Sequence, residues 1–138
     1  MYTMPIERGK IREFARAVMA PDPAYDAPDA VVPPTFLTTA SLAWEPPGEL
    51  DLGDLQLDLR RVLHGEEEYV FHGPLPRAGQ TLEVTTRLGD VYRKPGRRGG
   101  DLTFVTIVHE FRDATGDLVV EQRTTLVQTS QAPEEGRP

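Results

Sequence analysis

Cysteine is absent from this chain of 138 residues, which excludes both disulfide bridges and thiolate metal sites. Long apolar runs are missing too, because no stretch approaches the roughly 18 apolar residues that span a bilayer. Residues 1–8 lack the basic and apolar segments of a signal peptide, so we predict a cytoplasmic protein. Positive charge is scarce, and the net charge of −7 disfavours nucleic acid as a partner.

The length and the hydrophobic content of 38% fit one globular domain with its own core. We predict a single domain over residues 1–130 and a flexible polar tail over residues 131–138. Histidine is rare, and none of the three is spaced like a pair of metal ligands. The sequence therefore predicts no metal site.

Two segments of the N-terminal half are predicted to be helical. Apolar side chains recur at helical spacing at Ile11, Phe14, Ala15 and Val18. This spacing predicts an amphipathic helix within residues 6–19 that ends before Pro21. The stretch Thr35–Trp44 is apolar almost all round, which favours a buried helix that begins after Pro33 and Pro34.

The rest of the chain has the alternation of β-strands. We predict strands at residues 66–72, 81–92, 102–112 and 118–129, with a hairpin turn at 113–117. Alternating leucines at positions 55, 57 and 59 suggest a further short strand within residues 50–63. Helices followed by long antiparallel strands indicate an α+β domain with its helices on one face of the sheet.

Six stretches, taken in order, carry a resemblance to a known family. They are Ile11–Val18, Asp22–Tyr25, Val32–Thr39, Leu63–Tyr69, Gly99–Val105 and Glu121–Val127. Their order and spacing resemble the N-terminal domain of MaoC-like dehydratases. The resemblance implies a hot-dog fold, in which a curved antiparallel sheet wraps a long central helix. It also implies a thioester of coenzyme A or of a phosphopantetheine-bearing acyl carrier protein as the substrate, with no further cofactor.

The chain departs from that family where its catalytic members have their active residues. Those members carry the pattern Gly-Asp-x-Asn-Pro-x-His, whose aspartate and histidine activate water. Here Ala20 stands at the aspartate position and Tyr25 at the histidine position. Alanine has no proton to exchange, and a phenol is a poor base near neutral pH. The resemblance therefore implies a chain without the usual dyad.

The same resemblance suggests which residues line a substrate pocket. These residues are Tyr25, Pro34, Thr35, Phe36 and His64. Backbone N–H groups of Thr35, Phe36 or Leu37 could polarise a thioester carbonyl, or the segment could be a plain core helix. His64 lies beside the acidic residues 66–68 and is the one candidate for catalysis, although a lone histidine is usually structural.

A basic, glycine-rich stretch provides candidate phosphate ligands. Its basic residues are Arg93, Lys94, Arg97 and Arg98. Arginine suits the phosphates of coenzyme A or of a carrier arm. The plainer interpretation, and the commoner one for such a stretch, is a solvated loop between two strands.

Three hypotheses of function follow from these features. The leading one is a substrate-binding, non-catalytic subunit of a heteromeric (R)-specific enoyl-thioester hydratase, or 3-hydroxyacyl-thioester dehydratase. Its partner would be a second hot-dog chain that carries the aspartate and the histidine. The second hypothesis is a homodimer that holds an acyl thioester without turnover. The third is a hydratase with a non-standard site, built from His64 with Asp22 or Asp26.

Overall fold

The computed structural model describes residues 1–97 and 100–130, and both Arg98 and the predicted tail lie outside them. Its strands are β1 (Tyr2–Pro5), β2 (Val62–Phe71), β3 (Thr81–Pro95), β4 (Asp101–Arg112) and β5 (Leu118–Gln128). Its helices are α1 (Arg8–Ala17) and α2 (Thr39–Ala43). Turns of 3-10 helix lie at Pro23–Tyr25, Phe36–Thr38 and Leu59–Arg61. The α+β class is confirmed.

The five strands form one antiparallel sheet in the order β1-β3-β4-β5-β2. Strands β3, β4 and β5 follow one another directly, and the turn between β4 and β5 is the predicted one. There Gly116 has a φ of 89° and the Asp113 carboxylate accepts from the Thr115 amide. Strands β1 and β2 form the two edges of the sheet, and β1 has no periodic pattern by which it could be predicted.

One face of the sheet, called the inner face here, carries the core. Its residues Val84, Phe111 and Val120 are fully buried against Phe36 and Leu37, which precede α2. Helix α1 packs on the same core through Ile11, and the ring of Phe14 meets that of Phe36 edge-on at a centroid distance of 5.6 Å. The core therefore lies between one face of the sheet and the two helices.

The central helix is shorter than predicted. In place of a helix over Thr35–Trp44, a 3-10 turn at Phe36–Thr38 leads into α2, which ends at Ala43. The hydroxyl of Thr39 donates to Phe36 O and that of Ser41 to Thr38 O, so side chains bond to carbonyls of the preceding turn. Pro46 and Pro47 prevent continuation. No helix in the described ranges is both long and apolar enough to cross a membrane.

The strand suggested within residues 50–63 is wrong for all but its last two residues. The Asp51 carboxylate accepts from the Gly53 amide, and Gly53 has a φ of 56° that an extended strand does not allow. The Asp58 carboxylate then accepts from the Arg60 amide and begins the last 3-10 turn. Leu59 is 80% exposed, so the alternating leucines do not mark one buried face.

A β-bulge in β2 determines which side chains reach the inner face. His64 pairs with Leu126 and Glu66 with Thr125, so Gly65 is an additional residue in its strand. A Cβ at Gly65 would lie 2.7 Å from Val127 Cγ2, which explains why a glycine occupies the bulge. The bulge shifts the alternation of side chains by one residue. As a result, His64 before the bulge and Glu67 after it both point to the inner face.

Candidate functional site

A row of polar side chains crosses the inner face beneath the central helix. Strand register joins Thr86 of β3 to His109 of β4, His109 to Gln122 of β5, and Gln122 to Tyr69 of β2. His109 and Gln122 are 4% and 2% exposed, which is unusual for polar residues in a sheet of this size. Each end of the row contacts a carboxylate, and the two ends have different surroundings.

At the β3 end, the partly buried carboxylate of Glu45 connects the segment after α2 to the sheet. Its Oε2 atom lies 3.0 Å from His109 Nε2 and accepts from the hydroxyls of Thr86 at 3.0 Å and Tyr2 at 3.3 Å. Burial, and then the Glu45 charge, raise the pKa of the Tyr2 hydroxyl well above its ordinary value. This end of the row is closed and holds the fold together.

At the β2 end, the carboxylate of Glu67 joins a buried amide to an exposed imidazole. Gln122 Nε2 donates to Glu67 Oε1 at 2.5 Å, and His64 Nε2 lies 2.9 Å from Glu67 Oε2. The side chain of His64 is 57% exposed, while that of Glu67 is 20% exposed. A buried group thus orients the carboxylate, and the carboxylate orients a histidine that faces solvent.

Tyr69 brings the central segment to the same place. Its hydroxyl donates to the carbonyl of Thr35 at 3.4 Å, and Thr38 lies beside it. Burial, followed by the charge of Glu67, raises the pKa of the Tyr69 hydroxyl well above its usual range, so Tyr69 stays a neutral donor. We call the site formed by these sheet and turn residues the polar mouth; it comprises His64, Glu67, Tyr69, Gln122, Thr35 and Thr38.

The structure brings together only some of the residues that the sequence singled out. Thr35 lies in the polar mouth and is exposed, Pro34 precedes it at the surface, and Phe36 is fully buried below it. Tyr25 ends the turn at Pro23–Tyr25 and packs partly buried against the core. No hydrogen bond or ring contact in the described ranges joins Tyr25 to His64.

The backbone donors expected before the central helix are reduced in number. The amide of Phe36 donates to the carbonyl of Pro33 at 3.0 Å, so it is not available to a thioester carbonyl. The helix that follows has only five residues, too few to give a strong dipole. Of the donors in the polar mouth, the side-chain hydroxyls are therefore the more prominent.

The carboxylate beside His64 is not one of the two that the sequence suggested. Asp22 accepts from the Ala24 amide within its own turn, and Asp26 pairs with Arg12 of α1. The partner is Glu67, together with Gln122 behind it. Sequence reasoning missed both residues, because their meeting depends on the Gly65 bulge and on pairing between distant strands. Among the described residues, no three acidic or histidine side chains converge as metal ligands would.

An apolar groove of about 280 Å³ runs between the two helices. It is lined by Phe14, Ala17, Phe36, Leu42, Ala43 and Trp44, with Lys10, Glu13 and Thr39 as its polar residues. The volume is near the lower end of what small-molecule sites occupy, roughly 300 Å³ and above. Phe36 follows Thr35 of the polar mouth directly in the chain.

The predicted basic stretch lies at the far ends of β3 and β4. Arg93 and Lys94 are exposed near the end of β3, and Arg97 is exposed in the following loop. No ion pair is made by these three within residues 1–97 and 100–130. The ammonium of Lys94 lies 5.1 Å from the ring centre of Tyr92 and 5.4 Å from that of Phe104. Their positive charge is therefore open to an anionic ligand.

Solved dehydratases have a fold similar to that of this chain. The C-terminally truncated HadBC complex of Mycobacterium tuberculosis, a 3R-hydroxyacyl-ACP dehydratase, contains a similar chain: the TM-score is 0.63 with 27% identity over 91% of this chain and 89% of that one. A second structure, described as a MaoC-like dehydratase, has a TM-score of 0.74 and 25% identity, over 93% of this chain and 39% of that one. The fold is thus a hot-dog domain of the MaoC-like dehydratase class.

Sequence comparison then gives the family. The model of the family described as FAS1-like, dehydratase domain region, matches residues 2–122. A UPF0336 protein of Streptomyces avermitilis is 35% identical over 95% of this chain and 87% of its own length. The chain belongs to this FAS1-like dehydratase family, as the resemblance implied.

Proposed function

We propose that this chain is the substrate-binding, non-catalytic subunit of a heteromeric (R)-specific hydratase or dehydratase of acyl thioesters. The observation that carries the proposal is the polar mouth, an open and ordered polar site in a chain whose dyad positions hold Ala20 and Tyr25. The mouth supplies hydroxyl donors and an oriented imidazole for the polar part of a thioester. The catalytic aspartate and histidine come from a second hot-dog chain. Both chains are cytoplasmic in this proposal.

The outer edge of β2 is where that second chain binds. This strand has ten residues and, in the described part of the protein, no neighbour beyond its pairing with β5. Its free backbone groups can pair with another strand, as exposed edges do. Leu63 and Phe71 on the same strand are 59% and 39% exposed. Pairing there would bring the partner's residues next to the polar mouth.

The groove and the basic stretch fit the two ends of an acyl thioester. The groove beside Phe36 has apolar walls for an acyl group. Arg93 pairs with Thr103, Thr103 with Gln128 and Gln128 with Val62, so Arg93 lies two rows along the sheet from the row of His64, on the same face. Three strand spacings and two residues along the strands separate the two, about 16 Å, a span that a pantetheine arm can bridge.

The test is hydration of crotonyl-CoA and of a longer enoyl-CoA, followed by the loss of enoyl absorbance. The chain is assayed alone and after co-expression with a hot-dog chain that bears the dyad. We expect turnover only in the pair, because the general base belongs to the partner. Turnover by this chain alone, abolished by His64→Ala, would refute the proposal in favour of a non-standard site.

Association has its own variant and control. Phe71→Arg puts a charge on the edge of β2, so we expect it to prevent co-purification of the pair while the melting temperature of the single chain stays unchanged. Met19→Lys changes a residue that is 87% exposed and lies beyond α1, and it should leave the pair intact. A stable homodimer without turnover, insensitive to Phe71→Arg, would support the binding-protein hypothesis instead.

A further inference from the structure

We propose that Glu67 and Gln122 form, with His64, a ligand-binding site that presents Nδ1 of the imidazole as a hydrogen-bond acceptor. The ligand group is an N–H or O–H donor that enters the polar mouth. The ligand group that we expect is an amide or hydroxyl of a pantetheine arm. For the nature of this ligand, the inference rests on the proposed function, which it deepens. The arrangement itself is defined by this chain's own contacts.

The bulge creates the arrangement. In a regular strand, positions 64 and 67 point to opposite faces, because side chains alternate with a period of two. The additional residue at Gly65 restores both side chains to the inner face, as the pairing of His64 with Leu126 and of Glu67 with Thr124 records. The contact between imidazole and carboxylate exists only because the strand is bulged.

The buried amide fixes the carboxylate. Gln122 is 2% exposed, and its Nε2 donor occupies Glu67 Oε1 at 2.5 Å. The other oxygen, Oε2, is thereby directed to His64 Nε2 at 2.9 Å. Since a carboxylate oxygen can only accept, Nε2 is the nitrogen that carries the proton. A group whose rotamer is held by a second set of hydrogen bonds is pre-organised for binding.

The remaining ring nitrogen is the one offered to a ligand. No hydrogen bond joins Nδ1 of His64 to another described residue, and the side chain is 57% exposed. In a neutral ring protonated at Nε2, Nδ1 is an acceptor. The hydroxyl of Tyr69 in the same mouth already donates to the carbonyl of Thr35, so the imidazole is the group that receives the N–H or O–H of the ligand.

The first experiment reads the tautomer directly, and it does not depend on activity. Long-range proton–nitrogen correlation spectra of the nitrogen-15-labelled chain, at mildly alkaline pH, should show His64 as one tautomer protonated at Nε2. Glu67→Ala should give a mixture of tautomers, because the acceptor is lost. The matched control is Glu68→Ala, since Glu68 points to the other face and pairs with Arg123; it should leave the spectrum of His64 unchanged.

A ring protonated at Nδ1 in the wild type, or an unchanged tautomer in a folded Glu67→Ala chain, would overturn the proposal. Should Glu67→Ala fail to fold, Gln122→Leu tests the same link, because it frees the carboxylate and keeps it present. We expect that variant to broaden the imidazole signals; an unchanged single tautomer would count against the role of Gln122.

The second experiment uses binding and turnover. Free pantetheine added to the single chain should shift the signals of His64 and Tyr69, and His64→Ala should abolish the shift at Tyr69. In the assembled pair, Glu67→Ala should raise KM about tenfold with little change in kcat, which is the loss of one hydrogen bond to the ligand. Combining it with His64→Ala should add nothing further. Equal and additive losses in kcat would overturn the binding role, whereas a pair without any turnover would refute only the proposed function.

Discussion

At the scale of single residues, the closed end of the polar row makes the free energy of unfolding depend on pH in the alkaline range. Tyr2 is 9% exposed and its pKa is raised by burial and by the Glu45 charge. An unfolded tyrosine ionises near pH 10, while the folded one retains its proton to higher pH. The folded state therefore binds more protons than the unfolded state above pH 10. We expect the free energy of unfolding to fall there by up to about 1.4 kcal/mol per pH unit for this group.

The measurement is urea unfolding from neutral pH to about pH 11. Tyr2→Phe should cost less than about 1.5 kcal/mol at neutral pH, where it loses one long hydrogen bond, and its stability should decline less steeply above pH 10. Tyr92→Phe is the control, because Tyr92 is 41% exposed, and its curve should follow the wild type. Parallel curves for all three proteins would mean that Tyr2 ionises alike in both states.

At the scale of elements, the bulge of β2 is the most sensitive point of the sheet. Gly65→Ala should lower the free energy of unfolding by about 1–3 kcal/mol, because the new Cβ meets Val127 Cγ2 at 2.7 Å and the carbonyl of Thr125 at 3.1 Å. The denaturant midpoint measures this loss. Gly73→Ala, where nothing lies within 4 Å, is the control and should change stability by less than about 0.5 kcal/mol. Equal midpoints for the two variants would contradict the crowding argument.

The elements also show what sequence patterns can predict. Strands β3, β4 and β5 and helix α1 were predicted because each has a long, regular apolar period that matches its burial. Strand β1 is too short for a period, and its pairing with β3 depends on residues far away in the chain. The leucines at 55, 57 and 59 alternate without any sheet to pack on. Local pattern therefore predicted the long elements and failed where pairing or turn geometry decides.

The residues of the candidate site also fall into two groups, those that the sequence pointed to and those that it did not. Thr35 and His64 were identified from the resemblance, and the structure places both in the polar mouth. Glu67 was noted only as part of an acidic run, and Gln122 carried no signal at all. Their roles arise from cross-strand register and from one additional residue in β2, and neither is visible in a window of sequence.

At the scale of the whole molecule, a net charge of −7 makes the basic stretch a local exception. The double variant Arg93→Glu/Lys94→Glu should raise KM of the assembled pair for an enoyl-CoA about tenfold at low salt, since it reverses charges that attract phosphate. Added salt should reduce that difference. KM is measured in parallel for the N-acetylcysteamine thioester, which has no phosphate and should not be affected. Arg16→Glu, on exposed α1, changes the net charge by half as much and should leave KM close to that of the wild type.

The order of the strands also has a consequence for synthesis. The strand β2 is translated well before β5, its partner within the sheet, because β3 and β4 lie between them in the chain. A nascent strand without a partner is a template for aggregation on the ribosome. The consecutive glutamates at positions 66, 67 and 68 place negative charge in the middle of that strand during the interval. The same residues that later serve the site and the sheet thus act first as gatekeepers for the growing chain.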